Sequence, residues 1–449
     1  MIKRTIFSLI SAFLLLISVS TAEESSFNPV EFELDTLDNG LQVIYCVDKS
    51  APVVATVVRY SVGSRYEDTT QTGYAHFFEH LMFEATEDIP RATIDKYVQE
   101  AGGTLNAFTS FDRTVYFFKV PSHQIKLPLW MESQRMRKLL VDTVGVETQR
   151  GVVLEELKQR TTNQPYGTML DKVCSNLFPG TSYAWSVIGF ARNIEKATIE
   201  NFREFYNGFY QPNNATLAVV GDFEIEQAKE YVDAYFGIYP KVKVAEPPPF
   251  DLKPMDGETR EKIIDDKAQL PGVFVAYRGP KIGEEDYYPM QLLTSVLAAG
   301  ESSRLYQRLV NKEELAVQAS MVPINLEKSG MILLYGIPNV GVNPKEMEEV
   351  LFEEIENIIK DGITNEELEK VKNQQEAQFV SDKKDVLGKA QSLADYNAYF
   401  GDPNMINTEL QKYLSVTKED IIKVAKKYFD TKNRVILTYI PEGMQESLK

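Results

Sequence analysis

Apolar and polar positions along this chain follow strand-like and helix-like rhythms, and the rhythms occur in the same order twice. Thr56-Val-Val-Arg-Tyr60 and Val273-Phe-Val-Ala-Tyr277 read as corresponding strands, each followed by a stretch with helical spacing. Gly103-Thr-Leu-Asn-Ala-Phe-Thr-Ser110 opens after a Gly-Gly break, and Asp112-Arg113 parts it from Thr114-Val-Tyr-Phe-Phe118, which predicts a hairpin. Thr198-Ile-Glu-Asn-Phe-Arg-Glu-Phe-Tyr through Asn214-Ala-Thr-Leu-Ala-Val-Val is matched by Thr417-Lys-Glu-Asp-Ile-Ile-Lys-Val-Ala through Asn433-Arg-Val-Ile-Leu-Thr-Tyr. The offset is constant, the step from Thr198 to Thr417 being the same as that from Asn214 to Asn433. Each copy predicts a helix with a threonine at its start, a short turn and a β-branched strand. Thr364-Asn-Glu-Glu367 has the capping-box pattern at the head of a long polar helix. The pattern predicts an α+β fold of two homologous domains, each a mainly antiparallel sheet packed with helices. Pro240 and the run Glu246-Pro-Pro-Pro-Phe250 through Pro254 suit neither helix nor sheet. Residues 240–257 are therefore read as a linker between domains at 23–239 and 258–449.

Composition agrees with this division. A chain of 449 residues exceeds one ordinary core, and 43% hydrophobic with 25% charged residues describes a soluble globular protein. The first 22 residues differ: Lys3 and Arg4, an apolar run from Ile6 to Val19 and Ser20-Thr-Ala22 have the three parts of a secretory signal peptide. The rival reading is a membrane anchor, but the run is short for a span and no lipidation cysteine follows it. The expectation is export with cleavage after residue 22, to a periplasm, and no stable membrane span afterwards. The net charge of −17 argues against nucleic acid as a partner. Two cysteines, Cys46 and Cys174, are too few for a disulfide framework; they could pair or stay as buried thiols.

His76-Phe-Phe-Glu-His80 changes the picture, because it holds two of the three histidines and brackets a carboxylate. On a helix advancing about 100° per residue, His76, Glu79 and His80 share one face. Two imidazoles at i and i+4 suit tetrahedral Zn²⁺, and Glu79 beside them can accept a proton from water; this is the H-x-x-E-H order of inverted zinc proteases. A third ligand is sought in Glu147-Thr-Gln-Arg-Gly-Val-Val-Leu-Glu-Glu-Leu157. There Val146, Val153, Leu154 and Leu157 form an apolar face; Glu155 points away from it, whereas Glu156 borders it and aims inward.

His76-Phe-Phe-Glu-His80-Leu-Met-Phe, followed downstream by Gln149-Arg-Gly-Val-Val-Leu-Glu-Glu156, resembles the pitrilysin/insulinase family of zinc peptidases. Gly102 to Ser110, Val187-Ile-Gly189, Tyr210-Gln-Pro-Asn-Asn214 and Leu217-Ala-Val-Val-Gly-Asp222 extend the resemblance. The length resembles the short subunits of mitochondrial processing peptidase and their bacterial relatives. The resemblance implies one Zn²⁺ per chain, two domains forming half of a clam-shell, and a sheet edge beside the metal where an extended peptide adds as a strand. Asn106, Ala107 and Phe108 become the substrate-contact candidates on that account. The second domain reads Pro289-Met-Gln-Leu-Leu-Thr-Ser-Val-Leu297 at the corresponding place and holds no ligand.

Two departures matter. Active relatives carry an Arg and a Tyr seven residues apart in the second domain, where this chain has Val310 and Val317; Arg304 and Arg308 sit earlier in the frame. Gln149 stands where some relatives have an acid that supports the site. The expectation is a zinc metalloendopeptidase for unfolded peptides, enclosed with a homologous subunit that carries the Arg/Tyr pair. The alternatives are an active homodimer and a non-catalytic assembly subunit of the same fold.

Overall fold

The computed structural model describes residues 28–444, so the expected leader over residues 1–22 lies outside the described residues. The first half runs β1 (Glu33–Thr36), β2 (Gln42–Val47), β3 (Val53–Tyr60), α1 (Tyr74–Leu81), α2 (Ile94–Glu100), β4 (Thr104–Thr109), β5 (Thr114–Pro121), α3 (Lys126–Arg137), α4 (Thr143–Thr161), α5 (Met169–Leu177), α6 (Ala191–Lys196), α7 (Ile199–Phe209), β6 (Ala215–Gly221) and α8 (Ile225–Phe236). Residues 240–258 contain neither helix nor strand. The second half runs β7 (Thr259–Asp265), β8 (Gly272–Gly279), α9 (Tyr287–Ala298), β9 (Ala316–Ile324), β10 (Gly330–Pro338), α10 (Pro344–Asp361), α11 (Asn365–Asp382), α12 (Val386–Phe400), α13 (Met405–Leu414), α14 (Lys418–Tyr428) and β11 (Arg434–Pro441).

The strands form two sheets, ordered β1-β2-β6-β3-β5-β4 and β7-β11-β8-β10-β9. Apart from β1, the two orders correspond strand for strand, which is the internal repeat expressed as topology. One pairing in each sheet is parallel, β2 with β6 and β7 with β11, so the sheets are mixed. The threonines expected at helix starts cap α7, α11 and α14, each in a reciprocal capping box closed by Asn201, Glu367 and Asp420.

β3 and β6 are buried almost end to end instead of alternating. The reason is that both faces of their sheet are covered. One face packs on α1, α3, α4, α7 and α8 through Tyr60, Phe77, Phe78, Phe202 and Phe205. The other face, through Ile44, Cys46, Val57 and Val220, packs on Val386, Ala390 and Leu393 of α12, a helix of the second half. The exchange is reciprocal: Val173, Cys174 and Leu177 of α5 pack on Phe274, Leu333, Val435 and Tyr439 of the second sheet. Shifted by the step that carries Thr198 to Thr417, α5 falls on Gly388 to Tyr396 within α12, so each half lends the same helix to the other's sheet. Cys46 and Cys174 lie in these two separate cores as free, buried thiols. Among the described residues no helix is long and apolar enough to cross a membrane.

Candidate metal centre

Helix α1 is short, and two features fix it. Its apolar face, Tyr74, Phe77, Phe78 and Leu81, stacks on Phe202, Phe205 and Tyr206, with Phe77 and Phe202 ring centroids 4.3 Å apart. Its first turn has no capping side chain of its own; the fully buried Glu67 carboxylate accepts instead from the N–H groups of Gly73 (2.9 Å) and Ala75 (2.8 Å) and from the Trp185 indole (3.1 Å). Gly73 and Gly189 adopt positive φ of 91° and 70° and meet backbone to backbone; a Cβ on Gly189 would stand 2.3 Å from the Gly73 nitrogen. This close approach sets the Val187-Ile188-Gly189 loop against the head of α1.

With α1 held in this way, His76 and His80 project from one face and meet Glu156 of α4. His80 Nε2 lies 3.2 Å and His76 Nε2 3.6 Å from Glu156 Oε2, and the three candidate ligand atoms all fall within 4.8 Å of one another. Two atoms each about 2.1 Å from a tetrahedral zinc stand about 3.4 Å apart, so the two histidine-to-glutamate spacings fit that metal. Among the described residues no other three histidine, cysteine or carboxylate side chains converge in this manner. Glu155, the neighbour that periodicity turned outward, is exposed and pairs with Lys158 at 3.7 Å.

The local electrostatics suit ligation. Burial, with His80 adding to it, pushes His76 down to about 4, which leaves its ring neutral and its lone pair available at neutral pH. The hydrogen bond with His80 holds the Glu156 carboxyl below its usual range. Arg160, one turn along α4, donates to Glu156 Oε1 at 2.6 Å. Glu79, half-buried on the same face, is pushed the other way: burial raises its carboxyl, and the facing Thr109 hydroxyl offsets only part of this.

β4 is an edge strand beside α1, with only β5 paired to it, in the register Asn106↔Phe117, Ala107↔Tyr116 and Phe108↔Val115. Ala107 packs into the core on the helix side, whereas the Phe108 ring packs toward α12 under the Arg113 guanidinium, 5.2 Å away. Asn106 is exposed, and its Oδ1 accepts the Ala107 N–H at 2.9 Å. Gln149 does not reach the metal ligands; its amide donates to Glu84 Oε1 at 2.7 Å. Val310 lies in a π-helical turn over Tyr306–Lys312 and Val317 on β9, half-exposed at 52%. Arg304 is engaged by Glu367, and Arg308 by Glu313, Glu353 and Glu354. Glu67 and Thr109 carried no sequence signal, since each acts through a contact that periodicity does not encode; Arg160 was missed although its place one helical turn beyond Glu156 could have pointed to it. A cavity of about 280 Å³ opens beside Arg160, walled by Tyr166, Met169, Leu170, Val187 and Ile188.

Comparison with known proteins gives the following. The family model described as insulinase (peptidase family M16) matches residues 42–189, and that described as the peptidase M16 inactive domain matches residues 196–375. Zinc protease PqqE of Helicobacter pylori is 30% identical over 431 residues, spanning 95% of this chain and 97% of that protein. The uncharacterized zinc protease YmxG of Bacillus subtilis is 24% identical over 92% of this chain and 99% of its own. A crystallised protease from Helicobacter pylori superposes with a TM-score of 0.88 at 29% identity, covering 92% of this chain and 100% of that one. The periplasmic protease PqqL from Escherichia coli shares the fold, with a TM-score of 0.76 at 21% identity over 94% of this chain and 49% of that one.

Proposed function

Since the chain belongs to the insulinase family of peptidases, M16, we propose that it is a zinc-dependent endopeptidase acting on unfolded peptides. The observation that carries the reading is the His76–His80–Glu156 triangle, with its 3.2 and 3.6 Å spacings, set beside a free sheet edge. These three residues would hold one Zn²⁺ per chain. When bound, zinc would supply a Lewis acid that makes an attacking water far more acidic than it is in bulk. Glu79 handles the proton: with its carboxyl raised by burial, it takes the water's proton and returns it to the leaving amine. An extended peptide pairs along β4 through the outward-facing main chain of Ala107, once the Asn106 amide releases its N–H, while the main chain of Asn106 and Phe108 is turned to β5. Phe108 steadies the strand from behind, its ring packing toward α12. The cavity beside Arg160, the residue that pairs with Glu156, offers room for a substrate side chain.

With Val310 and Val317 in place of an Arg/Tyr pair, the remaining wall of the site is assigned to a homologous subunit that encloses the substrate from across a chamber. A relative of about twice the length, PqqL, is consistent with paired units of this size. That relative is described as periplasmic, and the leader over residues 1–22 supports the same compartment here.

The second reading is a non-catalytic assembly subunit, for which the missing pair is the motive; the inactive-domain match over residues 196–375 lies outside the His76–Glu156 region and is compatible with both readings. Peptide hydrolysis separates the two. Zinc-loaded protein, mixed with a homologue bearing the Arg/Tyr pair, is expected to cleave an unstructured peptide mixture. Glu79→Gln is expected to keep its zinc and lose about 10²–10⁴-fold in kcat. A chain that binds no zinc and cuts nothing, alone or mixed, would leave the assembly reading standing.

A further inference from the structure

The helix of the histidines and the helix of the glutamate are joined a second time, away from the metal. Past the end of α1, Glu84 is buried at 6% exposure and accepts from two sides: Gln149 Nε2 of α4 at 2.7 Å and Arg91 Nη1 at 2.5 Å. Arg91 Nη2 reaches both oxygens of Asp142 at 3.0 Å, and Asp142 is the N-cap of α4, accepting the Gly145 N–H at 2.8 Å. The backbone beneath is knitted as well: Thr86 bridges Leu139, and Leu140 N–H donates to Ala85 at 2.9 Å. Gly145 makes the space for this arrangement. A Cβ there would stand 2.9 Å from Arg91 Nη1, so a larger residue at 145 would push the guanidinium, the movable end of its side chain, out of this notch.

We propose that Arg91, seated in the Gly145 notch between Glu84 and Asp142, is a positioning residue that sets the gap between α1 and α4 and so the spacing of the metal ligands. The inference rests on the metal-site reading above. Its logic is helical: seven residues return nearly the same direction, about 10 Å along the axis, so Gln149 and Glu156 lie on one face of α4 two turns apart. A clamp at Gln149 that fixes the lateral position of α4 therefore fixes Glu156 against His80. Ligand atoms misplaced by about half an ångström no longer describe a zinc tetrahedron. An exposed ion pair would contribute little, but here the central carboxylate is buried, and Glu84 and Arg91 are each held by two partners.

The test measures zinc, not activity. Zinc affinity by chelator competition, and the rise in Tm on adding zinc, are compared for wild type, Arg91→Met, Gly145→Ala, Glu84→Gln, Gln149→Glu and the exchange pair Glu84→Gln/Gln149→Glu. Each single change is expected to weaken zinc binding tenfold or more and to shrink the zinc-induced rise in Tm. The exchange pair, which restores one carboxylate facing one amide, is expected to return to within about threefold of wild type. Single variants that bind zinc as wild type does, or whose metal-free and zinc-loaded Tm fall equally, would overturn the proposal and reduce the clamp to general support. An exchange pair no better than its parents would overturn it too, even if Gly145→Ala fails to fold. Wild-type protein that binds no zinc would overturn the metal-site reading itself and this inference with it.

Discussion

Glu67 takes no part in the chemistry, yet its carboxylate holds the head of the histidine helix with three N–H donors and no solvent contact. Glu67→Gln would turn a donor toward donors inside the protein, and an unsatisfied buried group of this sort costs about 2 kcal/mol. Denaturant unfolding of the metal-free variant is expected to show that loss, with zinc affinity lowered in the fraction that folds. Side chains of this type mark where residue-level reading of the sequence stops. His76, Glu79 and His80 could be found because one helical turn brings them together, and Glu156 because an apolar stripe decides which of two glutamates faces inward. Glu67 and Arg91 answer to contacts made by a loop and by another helix, for which the chain carries no period.

Strand β4 is the element through which substrate is proposed to enter, and its availability depends on one side chain. The Asn106 amide occupies the Ala107 N–H, shielding an edge that would otherwise invite pairing with any extended chain. A substrate that adds as a strand must replace that bond with its own main chain. N-methylating the substrate amides that pair with β4 is expected to lower kcat/KM about tenfold per blocked bond, while methylation one residue away, on the outward-facing amides, has little effect. A cleavage rate indifferent to the methylation pattern would exclude strand addition. At this scale the hairpin of β4 and β5 was legible from its β-prone residues and the breaks that bound them, and the helix of Glu156 from its apolar stripe. The π-helical turn over Tyr306–Lys312 was not, because it shares its apolar spacing with an ordinary helix. Nor were β3 and β6 recognisable as sandwiched strands, since the helix that covers their far face is distant in sequence.

That covering helix defines the molecule. On α12, Asp395 meets the buried Arg59 at 3.2 Å and also pairs with Arg113, and Asn397 donates to Thr216 at 3.1 Å and Gln42 at 2.7 Å. Asp112 performs a similar task at the other junction, accepting from Arg65, Tyr183 and the Glu327 N–H of the second half. Asp395→Ala would strand two guanidiniums at the interface, for an expected loss of about 2–3 kcal/mol after allowing for the carboxylate's partial exposure. Calorimetry is expected to show one cooperative transition, in wild type and variant alike, because neither sheet is covered without the other half's helix. The internal repeat revealed two halves, but the exchange between them was invisible: nothing in an amphipathic helix names the sheet it will lie on. The order in which the chain is made gives this exchange a further consequence. About 180 residues separate the end of β6 from the end of α12, and at about 5–20 residues per second a ribosome needs roughly 10–35 s to supply them. Until that later segment is in place the apolar face that α12 covers has no partner, so hydrogen exchange during refolding is expected to show the first sheet gaining protection only together with the second half.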